Sequence, residues 1–239
     1  MAETTASHRA DTRSRIVEAA AQLLRDEGPA AVTTRGVAEA ATVQAPTIYR
    51  LFGDKDGLLE AVAEHVMATY VSAKSAVVEA ATADDVDPLD DLREGWHAQI
   101  RFGVENPSIF RLLSEPDRVR NSPAAESGRR VLEARVHRIA LIGRLRVSEP
   151  RAVGMIQSAG VGTISTLLST PTDRRDPALA ESMYQAVLDQ ILTDSPTRAD
   201  EGVLAASITV RARVAELPAL TDAERQLLTQ WLDRAIAAQ

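Results

Sequence analysis

The 239-residue chain contains no cysteine. That excludes disulfides, a thiolate nucleophile and any thiolate-bound metal. Aromatic residues make up only 3% of the chain, and lysine occurs only at Lys55 and Lys74, against 25 arginines. No uninterrupted apolar run approaches the roughly 18 residues of a membrane span, because Arg, Asp or Glu breaks every apolar stretch. The opening MAETTASHRADTRSR has no apolar core after a basic start, unlike a secretory signal. Runs of β-branched residues with period-2 alternation are missing, as are internal repeats. These absences lead to the expectation of a cytoplasmic, all-α protein without disulfides or a membrane span.

Charge is what the chain has in quantity: 26% of residues are charged and the net charge is −7. The excess is not evenly spread. Residues 1–55 hold seven basic side chains (Arg9, Arg13, Arg15, Arg25, Arg35, Arg50, Lys55) and seven acids, so the remainder carries all the surplus negative charge. His8–Arg15 has three arginines and one acid, Asp11. A globally acidic chain can therefore still present a local basic surface to nucleic acid.

Apolar spacing predicts helices almost throughout. Over 10–27, Ile16, Ala19, Ala20, Leu23 and Leu24 follow the period of one helical face, and Gly28-Pro29 ends it. Thr33 or Thr34 suits the cap of a second helix with Val37, Ala38 and Ala41 inward. Thr42-Val43 forms the turn, and Pro46 fits the first turn of a third helix whose inner face is Ile48, Leu51 and Phe52. Gly53-Asp54 breaks that helix, with Asp54 capping a long one over 55–81. Asp87-Pro88 starts the next, where Asp90 and Asp91 favour the first turn. Helices are expected at 88–105, 107–114, 124–146, 150–169, 177–193, 201–215 and 221–238. Pro107, Pro116, Pro123, Pro150, Pro171, Pro177, Pro196 and Pro218 fall at the boundaries.

The segment 33–59, TTRGVAEAATVQAPTIYRLFGDKDGLL, is the most specific stretch. Two short helices around a tight turn are the device that lays one helix in a DNA major groove. Arg15, Ile16, Ala19, Ala20, Thr33, Thr34, Val37, Ala38, Ala41, Val43, Thr47, Ile48, Tyr49, Phe52, Lys55, Leu58 and Leu59 follow, in order and without gaps, the N-terminal pattern of another group of proteins. Over about residues 13–65 the chain resembles TetR-type transcriptional regulators. The resemblance implies an N-terminal three-helix helix-turn-helix DNA-binding domain, 1–55, and a larger α-helical regulatory and dimerisation domain, 56–239. It departs from the pattern at Thr42, where the family has glycine. A left-handed backbone there costs a residue with a Cβ about 1 kcal/mol.

The helix at about 44–51 is then the recognition helix. Gln44 suits pairing with adenine, Thr47 reaches a base or a phosphate, and Ala45 and Pro46 offer apolar contact to a thymine methyl. The resemblance implies phosphate contacts from Thr33, Thr34, Arg35, Tyr49, Lys55 and Arg50. Taken singly, Tyr49 and Phe52 suit a core pair equally well, and Lys55 a solvated helix end. Phosphate contacts position a protein without reading sequence, so DNA shape is expected to carry part of the specificity.

One helix-turn-helix meets one half-site, so the partners implied are a palindromic double-stranded operator DNA and a second copy of the chain. Residues 152–168, apolar on most sides and rich in small residues, pair with 177–193 as the expected dimer interface: Gly160, Gly162, Leu167, Met183, Tyr184, Val187 and Ile191. An ordinary core helix is the other reading. A pocket for an unknown small-molecule effector is expected around His65, Met67, Tyr70, Trp96, Ile100, Phe102, Phe110 and Leu113, although Trp96 and Ile100 also fit a core face. Arginines 129, 130, 135, 138, 144, 146 and 151 attract an anion or form a solvated face. The apolar stripe Leu227, Leu228, Trp231, Leu232 and Ile236 must bury against its own subunit or a partner.

These features favour a dimeric repressor released from its operator by a small ligand. The alternative is a helical interaction module that has lost DNA binding. Catalysis is disfavoured: His8, His65, His97 and His137 are scattered, neither a zinc-binding HExxH nor a nucleophile elbow occurs, and capping explains Asp84, Asp85, Asp87, Asp90 and Asp91. No cofactor or metal is expected.

Overall fold

Local signals at the chain's turns decide where each helix ends. A computed structural model describes residues 2–28, 30–83, 86–114, 120, 122–193 and 202–238, with backbone only for 2–8, 73–83, 112–113 and 202–203. Pro29, Asp84, Asp85, Pro116 and Pro196 lie outside the described residues. The α-helices there are α1 (Ala2–Glu27), α2 (Thr34–Ala40), α3 (Ala45–Phe52), α4 (Lys55–Ala83), α5 (Pro88–Glu105), α6 (Pro107–Leu113), α7 (Pro123–Leu141), α8 (Glu149–Ser169), α9 (Leu179–Ile191), α10 (Gly202–Arg213) and α11 (Asp222–Ala237), with single 3-10 turns at Thr172–Arg174 and Val214–Glu216. The fold is all-α; one isolated bridge joins Leu145 to Leu192.

Packing divides the chain into two compact units, one of residues 1–74 and 105–128, the other of 75–104 and 129–239. The first is centred on α1. That helix starts at Ala2, earlier than the apolar period indicated, and buries Ile16, Val17, Ala20, Ala21 and Leu24. The buried face is thus turned slightly from the expected one, leaving Ala19 and Leu23 half-buried. Val32, Val37, Ala38, Ala41, Ile48, Leu58, Val62, Ala63, Val71, Ile109 and Ala124 are buried in the same unit.

In the second unit, α7 stops at Leu141, five residues before the expected end. Gly143 turns left-handed there (φ +72°), and the Gly143 and Arg144 amides donate to Ala140 O and Ile139 O. Leu145 is then free to bury completely beside the Leu192 strand-like pairing. Asp87 caps α5 as expected, accepting from the Leu89 amide at 2.7 Å.

Asp91 does something else. It is buried and accepts from Arg135 Nε at 2.9 Å and Arg138 Nη1 at 2.8 Å, so it is not a solvent-facing first-turn charge. Correspondingly, Arg135 and Arg138 leave the expected solvated arginine face and turn inward. Gly95, one turn along α5, makes room for this: a Cβ there would lie 2.4 Å from the Arg135 guanidinium.

Helix α8 corrects one expectation. By length and composition it is apolar enough to cross a membrane. One face, Ala152, Val153, Ile156, Gly160, Thr163 and Ile164, is buried within the second unit, about a third of the helix.

Candidate nucleic-acid interface

The site begins with the Thr33 cap. The Gly36 amide donates to Thr33 Oγ1 at 3.0 Å, satisfying one of the donors left open at the start of α2. Seven residues later α2 ends in a tight C-terminal motif. The Thr42 amide donates to Glu39 O (3.1 Å) and the Val43 amide to Ala38 O (2.9 Å), which requires a left-handed residue between them. Thr42 takes that conformation, φ +56°, and is the only described non-glycine residue with positive φ. The turn is therefore the one a glycine would make, built at the strain of a β-branched side chain. Arg15 Nη2 donates to Ala41 O at 3.1 Å and ties α1 to the same turn.

Helix α3 follows with Gln44 at its N-cap and Pro46 in its first turn, where a missing amide hydrogen is harmless. Ile48, fully buried, anchors it. Gly53 (φ +82°) closes it, with its amide donating to Tyr49 O. Asp54 Oδ1 accepts from the Gly57 amide at 2.8 Å and starts α4, with Lys55 exposed in its first turn.

With Ile48 inward, the opposite side of α3 faces solvent. Gln44, Pro46, Tyr49 and Arg50 are exposed, and Ala45 and Thr47 half-buried; the Gln44 side chain makes no capping bond. Tyr49 is 53% exposed, which removes the reading of it as a core aromatic. Its hydroxyl lies 3.4 Å from Thr34 Oγ1, bringing the start of α2 beside the end of α3. Thr33 and Arg35 are exposed and Thr34 half-buried, so the structure places all ten expected DNA-facing residues with part of their surface open. Phe52 is half-buried, and the Arg13 guanidinium lies 5.1 Å from its ring centre.

The expected effector pocket fares differently. Trp96 and Ile100 are buried in the second unit: the Trp96 indole donates to Ala180 O at 3.0 Å and its ring centre lies 5.7 Å from that of Tyr184. Phe102 is half-buried in that unit. His65, Met67, Tyr70 and Phe110 are half-buried in the first unit, and the Leu113 side chain lies outside the described residues. Of the expected interface residues, Tyr184, Val187 and Ile191 are buried within their own chain. Gly160 packs inward, since a Cβ there would meet Gln99 at 3.0 Å. Gly162 is exposed with open space around it, and Leu167 and Met183 are half-buried.

Tyr184 also carries the clearest electrostatic perturbation. Burial pushes its hydroxyl from 10 up to about 12, Arg93 pulling the other way and Glu181 adding to the rise. The Glu181 carboxyl is held below its ordinary range by the Gln185 hydrogen bond first and by Arg93 and His97 after it.

Fold and site together define an all-helical protein built on an N-terminal helix–turn–helix. Residues 16–62 match the family model for the bacterial regulatory proteins of the tetR family. The nucleoid occlusion factor SlmA of Vibrio campbellii is 28% identical over 109 residues, 45% of this chain and 54% of that protein. An uncharacterised HTH-type transcriptional regulator of Bacillus subtilis, YvkB, is 38% identical over 73 residues, 30% of this chain and 36% of that one. The matched segments thus span about half or less of these relatives. In fold, the chain is similar to the fatty acid degradation regulator FadR of Bacillus halodurans, with a TM-score of 0.57 at 16% identity over 74% of this chain and 94% of the other. Over residues 16–62 the chain is thus similar to the N-terminal segment of bacterial regulatory proteins of the tetR family, and beyond it the likeness is one of fold.

Proposed function

We propose that this protein is a cytoplasmic transcriptional repressor that binds a palindromic operator as a homodimer and leaves it when a small molecule binds. The observation that carries the reading is the solvent-facing side of α3, flanked by the cap Thr33, by Thr34 and Arg35 on α2 and by Lys55 on α4. Tyr49, Thr34, Arg35, Arg50 and Lys55 hold phosphates, while Gln44 and Thr47 reach base edges. Two such helices, about 34–36 Å apart in a dimer, meet successive major grooves.

The partner copy packs on the outer side of α8 and α9. Gly154, Ser158, Val161, Gly162 and Ser165 are exposed on α8, and a Cβ at Gly154 or Gly162 would meet nothing within 4 Å. Small residues let a second helix approach closely, and Leu167 and Met183 border that side. Tyr184, Val187 and Ile191 support it from beneath.

The test is a fluorescence-anisotropy titration on the palindromic DNA upstream of the protein's own gene. Affinity is expected to fall steeply with salt and with removal of one half-site. Lys55→Ala should weaken binding about equally for all sequences and reduce the salt slope by about one phosphate contact. Salt-insensitive binding, or no binding, sinks the proposal.

A further inference from the structure

The second unit contains a half-open cavity of about 630 Å³. It lies among the end of α7, the start of α8, α10 and α11, and contains none of the eight residues expected from sequence to hold an effector. Its volume falls in the range of small-molecule sites, roughly 300–1,000 Å³. Pro150, Val153, Ile208 and Ile236 form its apolar wall, with Val153 and Ile208 themselves buried.

The polar side of the cavity is predominantly acidic. Glu133, Glu149 and Asp233 line it, against Arg211 and His137. Arg211 Nε already donates to Asp233 Oδ1 at 2.7 Å, and Glu133 pairs with Arg129. Glu149 faces His137, with Nδ1 3.2 Å from Oε2. Glu149 is also in the first turn of α8, where the helix end partly balances it. Three carboxylates against two guanidiniums, Arg211 and Arg129, leave Glu149 as the carboxylate without an arginine partner among the described contacts.

The geometry points to a binding site for a small amphipathic organic cation in this cavity. Its charged head takes Glu149. Its apolar body lies against Pro150, Val153, Ile208 and Ile236. An anion meets the wrong sign at Glu149 and would have to break the Arg211–Asp233 pair to find a cation. The cavity belongs to the second unit and the DNA-reading face to the first, and binding is measured without DNA, so its failure leaves the proposed function untouched.

Two probes of nearly equal shape and opposite charge test the proposal. Isothermal titration of the full chain uses tetraphenylphosphonium and tetraphenylborate in sodium buffer. Saturable binding of the phosphonium is expected, at least tenfold tighter than that of the borate. Glu149→Gln should weaken it about tenfold, and Ala134→Trp, which fills the cavity from an exposed rim position, should abolish it. No saturable heat with the phosphonium, equal binding of the borate, or an affinity unchanged by either substitution overturns the proposal.

Discussion

At the scale of single residues, Thr42 shows how a local rule can be broken and the element still form. Its φ of +56° lies where a Cβ costs about 1 kcal/mol. The structure keeps that conformation because two amides, of Thr42 and Val43, close the end of α2 only if the chain turns left-handed. Thr42→Gly should therefore leave the melting temperature unchanged or raise it by a few degrees, as differential scanning calorimetry reports. A clear drop would mean that the threonine side chain makes a contribution larger than its strain. Tyr49 illustrates a different point: spacing left it equally suited to core and surface, and the orientation set by buried Ile48 decided for the surface.

At the scale of elements, the joining of α5 to α7 rests on charge. Asp91 and Arg135 are 4% and 3% exposed, and Arg138 adds a second donor to the same carboxylate. Removing one partner from such a pair leaves the other charged and desolvated, at a cost of about 3–5 kcal/mol. Asp91→Ala should lower the urea midpoint accordingly. A loss within about 1 kcal/mol, as an exposed pair gives, would show that the triad is not buried in solution. No periodicity reveals this triad, because Asp91 and Arg135 are 44 residues apart and each alone looks like a solvated helix charge.

At the scale of the whole molecule, pH reports on how α5 and α9 are packed. Tyr184 is buried against Trp96, and its hydroxyl donates to Leu89 O at 3.3 Å. Its folded-state value of about 12 is above the unfolded value of 10. The folded state thus holds the proton where the unfolded chain releases it, and stability falls as pH rises from 10 towards 12. Melting followed by circular dichroism across that window should show a steeper fall for the native chain than for Tyr184→Phe. Equal slopes would place the hydroxyl in water.

The amino-acid sequence by itself determined the all-α class, the helix–turn–helix over 33–59 and most helix boundaries. Those depend on neighbours along the chain: caps such as Thr33 and Asp54, stops such as Gly53, and apolar faces of helical period. Only the tertiary structure decided what surrounds each face. It made Trp96 a core residue, turned Arg135 and Arg138 inward, ended α7 early at Gly143, and gathered residues from α7, α8, α10 and α11 around one acidic cavity. Such outcomes depend on side chains far apart in sequence, whose burial and pairing no local pattern encodes.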